Sequence, residues 1–145
     1  MACIGEDRDL MKTLTCEARA ENIQLVTDFL DRELEALDCS PKAQMQIDVA
    51  ADEIFANISA YAYTPGVGEA TVSFECDPVT RIACIRFQDR GVPYNPLKKE
   101  DPDVSLPAEE RALGGLGIFL VKKTMDEMEY EYRDGQNILT LRKKI

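Results

Sequence analysis

The chain has no histidine and no tryptophan. Without histidine, Ser–His and Cys–His catalytic pairs, imidazole-ligated metals and phosphohistidine chemistry are excluded within these 145 residues. Basic residues are also scarce: 17 Lys and Arg stand against 27 Asp and Glu, a formal net charge of −10. That balance argues against non-specific binding to nucleic acid, which needs a basic surface. It does not forbid a bound phosphate, which reads a local field. The five cysteines (Cys3, Cys16, Cys39, Cys76 and Cys84) include no Cys-x-x-Cys pair. A zinc site and a disulfide framework are both disfavoured, and free thiols in a reducing compartment are expected. No apolar run approaches ~18 residues, and the first dozen residues are too charged for a signal peptide. The expectation is a cytoplasmic protein that neither crosses a membrane nor binds nucleic acid directly.

What is present is ordinary globular material, 45% hydrophobic and 30% charged, enough for one domain spanning residues 1–145 with a real core. Residues 9–16 alternate as a strand, with Leu10, Leu14 and Cys16 on one side. Residues 17–38 read as a helix carrying Ile23, Val26, Phe29, Leu30, Leu34 and Leu37 at helical spacing. Ser40-Pro41 supplies an N-cap and a first-turn proline for a second helix running to about Tyr61. After Thr64-Pro65-Gly66, residues 69–76 alternate, with Ala70, Val72, Phe74 and Cys76 inward, and residues 81–88 form a hairpin partner. Residues 98–111 are charged and hold two prolines, so they read as a loop. A helix over 116–128 precedes a hairpin turning at Asp134-Gly135. The order β-α-α-β-β-loop-α-β-β predicts an α+β two-layer sandwich: a mainly antiparallel mixed sheet with helices on one face. A ferredoxin-like split sheet fits the two consecutive N-terminal helices less well.

Three motifs carry chemistry. Glu53-x-x-x-Asn57 puts a carboxylate and an amide on the flank of the second helix, beside the small residues Ala50, Ala56 and Ala60. Such oxygens suit magnesium, which keeps several waters and uses a nucleotide's own phosphates; the same pair also reads as a polar helix flank, as Asp48 and Asp52 do. Asp89-Arg90-Gly91-Val92-Pro93 follows a strand, so its carboxylate can accept from an exocyclic amine, or simply form a turn before glycine. Gly114-Gly115-Leu116-Gly117-Ile118 opens a helix, where free N–H groups and the positive end of the dipole favour an anion. It is neither a Walker motif nor a Rossmann one. Three glycines in four positions lower helix propensity, which points to a backbone that must approach something closely.

Together, in this order and spacing, the motifs resemble the GHKL (Bergerat-fold) ATPases, and within them the small stand-alone anti-sigma factor serine/threonine kinases. Tyr61-Ala62-Tyr63 and Tyr94-Asn95-Pro96 extend the likeness. The resemblance implies ATP and Mg2+ as cofactors and assigns roles. Asn57 would hold magnesium, and Glu53 would act at the transferred phosphate. Asp89 would bind the adenine amine, with Gly91 giving room for the ring. Gly114, Gly115 and Gly117 would meet the phosphates, and residues 98–113 would form the ATP lid. Thr140 would join the adenine network. Arg111 would reach the γ-phosphate, although it stands three positions before Gly114 where some family kinases place an arginine directly before the cluster. An ordinary carboxylate is a poor base for a serine hydroxyl, so orientation is the expected role of Glu53.

The implied partners are a small anti-anti-sigma protein of the STAS type, which would supply the acceptor serine, and a sigma factor. Two other readings keep the nucleotide: a partner-binding module gated by ATP without turnover, and a regulatory ATPase. Leu10, Met11, Leu14, Ile23 and Leu25 exceed what one helix face and one sheet face need, which predicts a homodimer through the N-terminal strand.

Overall fold

A computed structural model describes residues 11–98 and 116–145. Five strands, β1 (Lys12–Glu17), β2 (Glu69–Cys76), β3 (Ile82–Asp89), β4 (Glu127–Arg133) and β5 (Gln136–Lys144), form one sheet in the order β1-β2-β3-β5-β4. Every pairing among the described residues is antiparallel, where a mixed sheet was expected. Three helices, α1 (Ile23–Ala36), α2 (Pro41–Asn57) and α3 (Leu116–Thr124), complete an α+β sandwich.

Strand alternation decides what each sheet face presents. Ala70, Val72 and Phe74 on β2, Ile85 and Phe87 on β3, and Leu139 and Leu141 on β5 are all buried and lie in register across the three central strands. They share the core with Val26, Leu30 and Leu34 of α1, Ile47, Ile54 and Phe55 of α2, and Val121 of α3. Burying so much contiguous apolar surface stabilises the layer arrangement more than any single polar contact does.

Local chemistry fixes the helix ends. Ser40 caps α2, its Oγ accepting from Ala43 N at 3.3 Å, with Pro41 in the first turn. The first helix is shorter than the pattern predicts. Ala18 N donates to Gly68 O at 2.8 Å, holding the chain beside β2 before a 3-10 turn at Ala20–Asn22. At its other end Cys39 N reaches Leu34 O at 3.0 Å while Asp38 takes a positive φ of 56°, a Schellman-type stop. The last helix also ends early, at Thr124. Asp126 N donates to Arg142 O at 2.9 Å, drawing the chain into β4, and Met128 packs on the core from a strand. Asp134 and Gly135 both have positive φ, 55° and 76°, as a tight hairpin turn requires.

Asp48 is not the plain polar flank its pattern suggests. It faces α1 across the helix seam, and its Oδ1 is buried with no hydrogen-bond partner among the described residues. Burial, then the Asp31 carboxyl, and then Asp52 and Glu35 push its acidity to a pKa of about 8. Gln44 Nε2 bridges Asp31 Oδ1 and Glu35 Oε2, both at 3.0 Å, on the same seam.

Candidate functional site

After Asn57 the chain does not simply continue as α-helix: Ile58–Ala62 makes a π-helical turn. π-turns often mark functional sites, because the slipped hydrogen bonds leave backbone groups free for other partners. Here the Ala62 carbonyl accepts from Val92 N at 2.9 Å, tying the helix end to the segment that follows β3. Tyr63 adds a second tie: its hydroxyl donates to Glu69 O at 2.6 Å and accepts from Arg90 N at 2.7 Å.

That approach explains Gly91. A Cβ there would stand 2.2 Å from the Ala62 carbonyl oxygen and 2.5 Å from the Ala62 Cβ. The space made by this glycine is taken by the π-turn backbone.

The tied elements wall a cavity of about 50 Å³. Ile54, Asn57 and Tyr61 border one side, Asp89 and Asn137 another, and Ile118 of α3 a third. Most of the rest of the lining is apolar, as a flat heterocycle prefers. Asp89 is only 7% exposed. Its Oδ1 accepts from Gly91 N and from Asn137 Nδ2, both at 2.9 Å. Among the described residues no hydrogen bond reaches its Oδ2, so a carboxylate oxygen remains to receive a donor.

Glu53 and Asn57 are both half-buried, and Asn57 borders the cavity while Glu53 stands one turn back. Glu53 instead meets α3. A Cβ on Gly117 would lie 2.1 Å from Glu53 Oε1, so this glycine is what lets the carboxylate lie against the helix start. The structure thus joins Asn57 and Asp89 at one cavity and places Glu53 beside Gly117. Gly114, Gly115 and Arg111, and the proposed lid apart from Lys98, lie outside the described residues. Among the described residues no group of three His, Cys, Asp or Glu side chains forms a metal cage. The oxygen donors of Asn57 and Glu53 fit a magnesium ion only when phosphates and water complete its shell.

Thr140 is elsewhere. It lines a groove on the opposite face of the sheet with Arg86 and Glu129. Strand parity is the reason: Asn137, Leu139 and Leu141 point to the helices, so Thr140 points away. The residue that does join Asp89 is Asn137, which the motif reading missed. An asparagine in phase with two core leucines was the available signal, because a polar group at a core position needs partners.

Residues 16–143 match the family described as the histidine kinase-like ATPase domain. The serine/threonine-protein kinase BtrW of Bordetella bronchiseptica is 29% identical over 102 residues, covering 70% of this chain and 71% of that protein. The serine-protein kinase RsbW of Bacillus mycoides is 34% identical over 95 residues, 63% of this chain and 58% of that protein. The serine-protein kinase RsbW of Bacillus cereus strain B4264 is 33% identical over 97 residues, with the same 63% and 58% coverage. The chain thus spans less than two thirds of the length of the RsbW relatives. No helix among the described residues is long and apolar enough to cross a membrane. With the ATPase-domain match running through nearly all of its length, and with relatives that are protein kinases, this chain belongs to the histidine kinase-like ATPase domain family.

Proposed function

We propose that this chain is an ATP-dependent protein-serine kinase of the anti-sigma type, phosphorylating a small STAS-type anti-anti-sigma protein and sequestering a sigma factor. The carrying observation is the buried Asp89, whose Oδ2 is unpaired among the described residues in a cavity also bordered by Asn57. The names of the relatives support kinase activity; the sigma and anti-anti-sigma partners rest on the motif resemblance.

In this reading Asp89 accepts from the adenine amine, and the apolar walls cover the ring. Asn57 offers its amide oxygen to magnesium, which when bound neutralises phosphate charge. Glu53, one turn from Asn57, orients the acceptor hydroxyl toward the γ-phosphate. Gly114, Gly115 and Gly117 donate backbone N–H groups to the phosphates, and Arg111, within a lid over about 98–113, reaches the transferred group. Phosphoryl transfer is mainly positioning and charge neutralisation, so this set is sufficient. The γ-phosphoryl group breaks its bond to the ADP oxygen and bonds to a serine oxygen of the partner, the serine proton passing to phosphate oxygen or solvent; this chain has no histidine of its own to receive the group. The whole acts as one cytoplasmic domain. Met11, directly before β1 at the sheet edge among the described residues, and Leu25 of α1 are 45% and 50% exposed, which supports a homodimer through the N-terminal strand or its neighbouring surface.

The test is transfer of labelled γ-phosphate to candidate STAS-type proteins of the same cell. Label on a partner serine supports the kinase. ATP binding with no transfer to any such protein favours the nucleotide-gated binding module, a reading that draws on Glu53 lying against Gly117.

A further inference from the structure

We propose that Asn137 is a positioning residue that sets purine selectivity by holding the Asp89 carboxylate in one orientation. The inference rests on the reading of the cavity as an adenine-nucleotide site and adds to it a residue that no motif contains.

Asn137 is 6% exposed and stands opposite Asp89 in the β3–β5 register. The direction of its amide is dictated by its surroundings. Tyr94 N donates to Oδ1 at 3.0 Å, and a backbone N–H can only donate. The Tyr130 hydroxyl is bonded to the same oxygen; burial pushes the pKa of this phenol up, so it stays protonated. The Nδ2 group must therefore point the other way. It donates to Asp89 Oδ1 and to Val92 O, both at 2.9 Å. Every hydrogen-bonding position of the amide is used, which makes the side chain stiff.

The consequence falls on Asp89. With Asn137 Nδ2 and Gly91 N both on Oδ1, that oxygen is saturated and the carboxylate cannot turn freely. Its Oδ2 is left as an acceptor toward the cavity. An acceptor there attracts the N–H of a 6-amino purine and repels the oxygen of a 6-oxo purine. Without the amide, the carboxylate can rotate or recruit a bridging water whose second hydrogen serves a 6-oxo group. Discrimination then falls.

The experiment titrates the full chain with Mg-ATP and Mg-GTP by calorimetry, comparing wild type with Asn137→Asp, Asn137→Ser and Tyr130→Phe. The Asp variant has the same shape but puts a second carboxyl 2.9 Å from Asp89 Oδ1, and such a pair must share a proton. Its ATP affinity should rise on acidification from pH 9 to 7 relative to wild type, and its ATP-to-GTP preference should fall about tenfold. The Ser variant should lose preference severalfold while keeping the wild-type circular dichroism. Tyr130→Phe leaves the Tyr94 N–H in place and should stay within about threefold of wild type. An unchanged preference in a folded Ser variant, or an Asp variant without added pH dependence, overturns the proposal while leaving the adenine site standing. Wild-type protein with no preference for ATP over GTP overturns the proposal and the adenine reading together.

Discussion

The two ends of the cleft are built differently. At the end proposed to take the base, Asp89, Gly91 and Asn137 are buried and cross-linked by hydrogen bonds that involve β3, β5 and the segment after β3. At the other end, Glu53 and Asn57 are half-buried, and no hydrogen bond among the described residues holds either side chain. Sheet register can fix a base-recognition group before any ligand arrives, because backbone partners are already in place. In the proposed reading the helix end meets a cation and phosphates, and so gains its partners from the ligand. The contrast predicts that substitutions at the base end change affinity and selectivity, whereas substitutions at the helix end change turnover and metal dependence.

The largest effect should come at the helix end. Glu53→Gln keeps shape and volume and removes the charge, so ATP affinity should stay within about threefold while single-turnover phosphotransfer falls about 10²-fold or more. Asn57→Ala should separate from it, abolishing the magnesium dependence of ATP binding without unfolding the chain. Full phosphotransfer by Glu53→Gln in a rapid-quench assay reduces Glu53 to a packing role against Gly117.

Asp89→Asn tests the other end. One directional, charge-assisted bond is lost and an N–H donor is placed where an acceptor stood. ATP binding should weaken by about 1–3 kcal/mol, with discrimination against GTP falling in step. Equal calorimetric affinities in parent and variant for both nucleotides would remove Asp89 from base recognition.

The two glycines sharpen the same comparison because a Cβ meets different kinds of neighbour. At Gly91 it would strike backbone, the Ala62 carbonyl at 2.2 Å, which cannot move without disturbing the π-turn. Gly91→Ala should therefore destabilise the fold by about 1–3 kcal/mol and weaken ATP binding. At Gly117 it would strike the end of a flexible side chain, Glu53 Oε1 at 2.1 Å. Alanine also favours a helix over glycine by up to about 1 kcal/mol. Gly117→Ala should leave the thermal midpoint nearly unchanged and cost turnover about tenfold through a displaced Glu53. Reversed outcomes in urea melts would mean that rigidity is distributed opposite to the contact geometry.

Much of this was legible from residue order. Alternation placed β2 and β3, Asp134-Gly135 marked the final hairpin, and Ser40-Pro41 marked the start of α2, because each depends on neighbours in sequence. What was not legible depends on partners distant in sequence. The helical pattern of Val121, Met125 and Met128 continues past Thr124, and only pairing with β5 converts Met128 into a strand residue. The π-turn at Ile58–Ala62 leaves no periodic mark over so few residues. Asp89 stands out in the sequence because its motif is local. Asn137 was passed over for Thr140, although strand parity with Leu139 and Leu141 separates them: three residues apart on a strand, they must face opposite ways.

The smallest expected effect lies away from the cleft and tests whether its two ends are independent of the helix seam. Asp48 shares α2 with Glu53 and Asn57 but faces α1, where it keeps its proton to about pH 8 against an ordinary value of 3.8. Between those values the folded chain binds one more proton at this site than the unfolded chain. Stability therefore falls as pH rises through that window and levels off above it. Asp48→Asn removes the titration while keeping an uncharged polar group beside Asp31. Its advantage over the parent should be absent below about pH 4 and largest above about pH 8. We expect about 1–2 kcal/mol there, below the full linkage value because the residue retains some solvent. Urea denaturation at pH 5, 7 and 9 reads this directly, and a variant less stable than the parent at pH 9 refutes the buried-proton account. Because Asp48 faces the seam and not the cavity, ATP affinity should hold within about twofold; a larger change would mean that the α1–α2 seam is coupled to the phosphate end of the cleft.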